Sequence, residues 1–237
     1  MPTPFVGAIL RSGGPRKTLK EGLISFWPCA TNNAVNLNDY GPNAQTLTNN
    51  GVVTAGPGPG GNLPFAAVFV AASSQYLSRA DSAALSMGAG VKFSFFGWVK
   101  FDALPGIDNS YIFAKTGAAS WEYIIYTSPT GGQHLRGDTN GVTEVASAAG
   151  GITTGVWYPV YFIWDGVNHR IGINAVEVAA VGADATDTAL GFAIGADGAG
   201  TASRFTDGSM AGWGIWKRVL TAKELAYLRA APRGYPF

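Results

Sequence analysis

The strongest constraint on this chain is a set of short segments that are apolar on both faces. In Phe93-Ser-Phe-Phe-Gly-Trp-Val-Lys-Phe101, strand alternation sends Phe93, Phe95, Val99 and Phe101 one way and Phe96 and Trp98 the other. Val156–Trp164 follows the same pattern. A strand with one solvated face alternates cleanly between apolar and polar residues. The second face of these segments therefore needs a cover: a long loop, the N-terminal residues or another subunit. Pro159 cannot donate to a ladder, which predicts an edge or a bulge at that point.

Further strands are predicted near Gly22–Pro28, Ala66–Val70, Gln75–Ser78, Tyr111–Lys115, Glu122–Thr127, Gln133–Asp138, Val142–Ser147, Arg170–Val176, Gly191–Ile194 and Ser209–Trp216, with turn residues between them. Residues 31–64, including Gly56-Pro-Gly-Pro-Gly-Gly61, read as turns and a long loop. With 47% hydrophobic and 13% charged residues, a chain of 237 residues holds ample material for one sizeable core. The fold class expected is all-β. One helix has its own signature: Thr221-Ala-Lys-Glu224 is a capping box, with Leu220 and Leu225 at the staple positions.

The first 21 residues read as an arm without a periodic element, and residues 22–237 as one domain. Net charge is +1, which argues for neither nucleic acid nor an acidic ligand. The arm, however, carries Arg11, Arg16, Lys17 and Lys20 ahead of its first acid, Glu21. Such a stretch could dock on a neighbouring copy or on another acidic surface, or simply be solvated. Cys29 is the only cysteine, so no intrachain disulfide forms. The opening residues lack the basic region and hydrophobic core of a signal peptide, and no run approaches the ~18 apolar residues of a membrane helix. Cytoplasmic synthesis without a membrane partner is the expectation, and incorporation into a virus particle is compatible with it.

The last third carries a resemblance. Phe205-Thr-Asp-Gly-Ser-Met-Ala-Gly-Trp-Gly-Ile-Trp-Lys-Arg-Val-Leu-Thr-Ala-Lys-Glu-Leu225 is similar to the closing block of laminin-G-like jelly rolls. Gly22–Trp27, Asn38-Asp-Tyr-Gly41, Phe69 with Gln75-Tyr-Leu77, Phe93–Phe101, Trp157-Tyr158 and Arg170–Asn174 follow the family's order, so the resemblance spans about residues 22–229. It implies a two-sheet antiparallel jelly-roll sandwich of the concanavalin A-like type with one short C-terminal helix. Trp213 and Trp216 are expected to bury aromatic area between the sheets.

Related glucanases place two or more carboxylates on one strand, spaced like E-x-D-x-x-E. Here Glu122, Glu144 and Glu177 are isolated, and Asp184 and Asp187 lie in an Ala/Thr-rich stretch. His134 and His169 stand without metal-ligand spacing, Gly208–Gly212 puts its serine one position early for a nucleophile elbow, and Gly56–Gly61 lacks the helix a dinucleotide loop needs. No catalytic set is expected. The resemblance also implies an optional Ca²⁺, with Asn38, Asp39 and Asp207 as candidate ligands that serve equally as turn chemistry. Its lectin-like side implies an exposed aromatic platform, for which Trp121, Tyr123 and Tyr126 are the candidates.

Two readings follow. The first is a structural or interaction protein, most concretely a virion-surface or capsid-decorating subunit that assembles with other protein subunits, as a homo-oligomer or on a lattice, through its sandwich and arm. The second is a carbohydrate-binding or adhesion module, with or without calcium.

Overall fold

The computed structural model describes residues 15–117, 120–141, 144–198 and 204–230. In chain order the strands are β1 (Leu23–Trp27), β2 (Cys29–Thr31), β3 (Ala34–Asn36), β4 (Thr48–Asn50), β5 (Thr54–Gly60), β6 (Leu63–Phe69), β7 (Tyr76–Arg79), β8 (Phe93–Ala103), β9 (Ser110–Thr116), β10 (Trp121–Ser128), β11 (His134–Asp138), β12 (Val145–Ala146), β13 (Trp157–Trp164), β14 (Asn168–Ile173), β15 (Val176–Val181), β16 (Phe192–Ile194) and β17 (Asp207–Trp216). The helices are α1 (Pro15–Lys20) and α2 (Ala222–Ala230).

Two antiparallel sheets make the sandwich. The first runs β15-β14-β13-β8-β17-β6-β5, with β1 also paired to β17; the second runs β12-β11-β10-β9-β16-β7-β4. This is the expected jelly-roll architecture. Between the sheets lie Phe93, Phe95, Val99, Phe101, Phe113, Tyr123, Phe162 and Trp213. A bulge between Ala211 and Gly214 brings Trp213 inward, where its ring stacks on Phe113 at 4.7 Å. Trp216 turns the other way. It joins Phe96, Trp98, Tyr161 and Ile163 on the outer side of the first sheet, so of these two indoles Trp213 alone packs between the sheets.

That outer side answers the question raised by the two-faced strands. Leu220, Leu225 and Leu228 from α2 and its approach, together with Leu19 from α1, cover it and are essentially solvent-free. The cover is the chain itself, and burying each such side chain contributes ~1.5–3 kcal/mol. The capping box forms as expected: Glu224 Oε2 accepts the Thr221 N–H at 2.8 Å, and Thr221 Oγ1 accepts the Glu224 N–H at 3.3 Å.

Three expectations are corrected. Residues 15–20 form a helix tied to the body: Trp216 Nε1 donates to the Leu19 carbonyl at 2.8 Å, and Arg218 donates to the carbonyls of Thr18 and Glu21 at 2.7 and 2.6 Å. The body therefore begins before Gly22. Gly56–Gly60 is strand, not loop; β5 lies at the edge of its sheet, where the missing Pro57 and Pro59 N–H groups cost no ladder bond. Pro159 lies in the interior strand β13. Its carbonyl accepts the Asn174 N–H at 3.0 Å, so its nitrogen faces the side where β14 has already ended.

Candidate functional site

Strands β9, β10 and β11 present a face of the second sheet away from the core. Strict alternation along β10 separates Tyr123 from Tyr126. A bulge between Trp121 and Tyr123 then puts Trp121 on the same face as Ile124 and Tyr126. On that face Tyr111 and Tyr126 approach at 5.6 Å, and the Arg204 guanidinium lies 5.0 Å above the Tyr111 ring while donating to its hydroxyl at 2.8 Å. The Tyr126 hydroxyl donates to Glu144, which also receives Arg136. Trp121 Nε1 donates to Asp138 Oδ2 at 3.2 Å. Burial pushes both tyrosine hydroxyls up; Arg204 opposes this at Tyr111, and the Glu144 carboxylate reinforces it at Tyr126. The result is a part-exposed indole beside two buried tyrosines, Tyr111 at 3% and Tyr126 at 6% exposure, so the expected exposed platform reduces to Trp121, edged by Arg136, Arg204 and Glu144.

Tyr123 does not belong to this platform. It is fully buried between the sheets, packed on Phe93, Phe95 and Phe113, and its hydroxyl donates to the Leu85 carbonyl at 3.0 Å. Burial raises its hydroxyl pKa well above the ordinary value.

The three candidate calcium ligands do not form one site. Asp39 Oδ1 accepts the N–H groups of Phe26 and Gly41 at 2.8 and 2.7 Å, and Oδ2 accepts that of Gln45 at 2.8 Å, so the carboxylate pins a turn. The Asn38 N–H is held by the Asn36 side chain in the same turn. Asp207 begins β17 opposite Ala103, whereas Phe26 pairs with Gly214, seven residues further along β17. At ~3.3 Å per residue that is roughly 20 Å. Burial, and then the neighbouring Asp102, raise the Asp207 pKa. Among the described residues no three His, Cys, Asp or Glu side chains gather as a metal site. Of the arm cations, Arg11 and the side chains of Arg16 and Lys17 lie outside the described residues, and Lys20 is exposed.

Four of the five carboxylates weighed for chemistry are held in other contacts, and the exposed Asp187 lies 3.9 Å from Lys115. Glu177 takes Arg170 and the Tyr161 hydroxyl, and Asp184 takes the Trp164 indole N–H at 2.8 Å. Glu122 is fully buried against the equally buried Lys115, 2.6 Å away, and also accepts the N–H groups of Met87 and Thr188. Sequence reasoning missed this pair. Its one signal is a lysine inside Tyr111-Ile-Phe-Ala-Lys-Thr116, a strand that is otherwise almost wholly apolar.

The laminin G family model of the concanavalin A-like lectin/glucanases superfamily matches residues 72–226, and the chain belongs to that superfamily. No curated protein matches it. Among solved structures, domain 4 of AbnA, an extracellular arabinanase of Geobacillus stearothermophilus solved with arabinotriose, is 20% identical; the alignment covers 87% of this chain and 98% of that one, with a TM-score of 0.65. The binding domain of Paraclostridial mosquitocidal protein 1 is 11% identical over 89% of this chain and 52% of that one, with a TM-score of 0.69. A botulinum neurotoxin type C structure, from work on its entry through two ganglioside molecules, is 12% identical over 90% and 52%, with a TM-score of 0.62. The chain spans nearly all of the arabinanase domain but about half of each toxin chain, and at these identities the likeness is one of fold.

Proposed function

We propose that this domain is a non-catalytic carbohydrate-binding module of the adhesion type, contacting glycans with the outer face of the second sheet around Trp121. The observation that carries the reading is the part-exposed Trp121 indole, backed by the buried rings of Tyr126 and Tyr111 and edged by Arg136, Arg204 and Glu144. Aromatic faces stack on the apolar faces of sugar rings, while paired carboxylates and guanidinium groups match vicinal hydroxyls. A fold shared with a domain solved with arabinotriose and with toxin binding domains supports the same reading. Glu144, Asp138 and Glu122 are each engaged by a cation, a phenol or an indole, which supports the non-catalytic reading. The assembly reading loses one of its grounds, because α1 and α2 already cover the two-faced strands.

The test is retention on soluble polysaccharides, arabinan among them, in affinity gels and on a glycan array. Trp121→Ala should lower affinity about tenfold or more, as expected for a lost stacking ring, with the melting temperature little changed. Retention that survives Trp121→Ala refutes this placement; no retention of any glycan by the full chain refutes the function.

A further inference from the structure

Away from Trp121, one cavity combines a supported shape with an unanswered charge. It opens at the end of the sandwich where the β8–β9 connection, residues 104–109, meets Phe205 and Asp207, and its volume is about 410 Å³. Small-molecule sites typically occupy ~300–1,000 Å³. Leu104, Pro105, Ile107 and Phe205 give it apolar walls, and Ile107 is 91% exposed at its rim.

Both walls are held from behind. Thr206 donates its N–H to the Gly195 carbonyl at 2.9 Å and its hydroxyl to the Tyr111 carbonyl at 2.7 Å, and Ser110 donates to Thr206 Oγ1 at 2.9 Å. Gln133 Nε2 donates to the Pro105 carbonyl at 2.8 Å, and the Phe205 ring lies 5.8 Å from that of Tyr76. A site supported in this way needs little ordering when a ligand enters, which favours binding.

The charge in the cavity has no counterpart. Among the described residues Asp207 accepts no hydrogen bond and joins no ion pair, although burial and the neighbouring Asp102 already disfavour its carboxylate. Lys100, which pairs with Ser209 two residues along β17, is committed to Asp102 at 2.9 Å. No described Lys, Arg or His lines the cavity, and the other ionisable group in its wall is a second acid, Asp108. A calcium ion takes ~6–8 oxygen ligands, whereas no three His, Cys, Asp or Glu side chains gather among the described residues. Surplus negative charge between apolar walls therefore suits an organic cation better than a metal ion.

We propose that this cavity binds a small organic cation, an ammonium group carried on an apolar body, with the ammonium against Asp207 and the body between Leu104, Ile107 and Phe205. Asp207 sets the sign of the ligand, and the walls set its size. A charge-assisted hydrogen bond in a part-buried cavity is stronger than the same contact in water. Binding here does not require the glycan site: Trp121 pairs with Thr116, at the other end of β9 from Ser110, roughly 20 Å away.

Amide NMR titration of the full chain tests the site with three probes that share one chain length: n-hexylammonium, hexanol and hexanoate. Hexylammonium should give saturable shifts centred on residues 104–109 and 205–207. Hexanol should bind about tenfold or more weakly, and hexanoate more weakly still. Asp207 makes no hydrogen bond, so Asp207→Asn should keep the melting temperature while bringing hexylammonium down to the affinity of hexanol. Ile107→Ser should weaken hexylammonium and hexanol by the same factor, about threefold. If Asp207→Asn fails to fold, the contrast among the three probes on the unmodified chain decides. No saturable shift, shifts centred elsewhere, hexanoate binding as well as hexylammonium, or a folded Asp207→Asn that keeps full affinity overturns the proposal.

Discussion

Lys115→Met isolates the buried ion pair. Lys115 Nζ lies 2.6 Å from Glu122, 3.1 Å from Ser86 Oγ and 3.0 Å from Asp81, with both Lys115 and Glu122 at 0% exposure. Removing one partner of a buried pair typically costs ~3–5 kcal/mol, because the other charge is left uncompensated. Glu122 keeps the N–H groups of Met87 and Thr188 and the Thr188 hydroxyl, so the low end, about 3 kcal/mol, is expected. With a urea slope of ~2–3 kcal/mol/M, the unfolding midpoint should fall by roughly 1–1.5 M. Adding Glu122→Gln removes the stranded charge but keeps an oxygen for the backbone donors, so the double variant should recover more than half of the loss. Urea titrations of the four proteins close a double-mutant cycle with a coupling of ~1.5 kcal/mol or more. A single-variant cost below ~1 kcal/mol, or a double variant that loses the sum of its parts, would refute a dry, coupled pair.

Three further outcomes are expected. Burial disfavours the Glu224 carboxylate, but Arg218 and the Thr221 N–H outweigh it and hold its pKa down from 4.5 to about 2. A depressed folded pKa contributes stability that is present above 4.5 and is lost as pH falls toward 2. After screening through the part-exposed Arg218, Glu224→Gln should remove ~1–2 kcal/mol at neutral pH and flatten that acid limb in melting curves. A Cβ on Gly97 would sit 2.2 Å from the Trp213 ring, so Gly97→Ala should cost ~1–3 kcal/mol or more by thermal unfolding, with a disturbed near-ultraviolet spectrum. The Cys29 thiol is fully buried, and burial pushes its pKa up to about 12; a thiol reagent should react only after unfolding, and fast labelling of the native chain would contradict its placement.

Much of the fold was legible in single segments, because strand and helix periods write burial directly into the order of residues. Phe93–Phe101 announced two buried faces, and its inward and outward sets separate in the structure as alternation requires. Thr221–Glu224 announced a helix start because both partners of a capping box are local. The candidate site was less legible. Alternation alone puts Tyr123 and Tyr126 on opposite faces, yet Trp121 joins Tyr126 only through the bulge at Glu122, and a bulge is set by the register of a neighbouring strand. Asp39 carries the residue type of a metal ligand, and only its three long-range and local N–H donors reveal a turn pin.

By itself the sequence determined the class of fold, the strands that needed cover on both sides and the capped helix, since each depends on neighbours a few residues apart. Only the tertiary structure decided what covers the first sheet, where Lys115 finds Glu122, and that Trp213 and Trp216 part ways. Those outcomes depend on contacts between segments far apart in the chain, and nothing within any one segment encodes which distant partner will arrive.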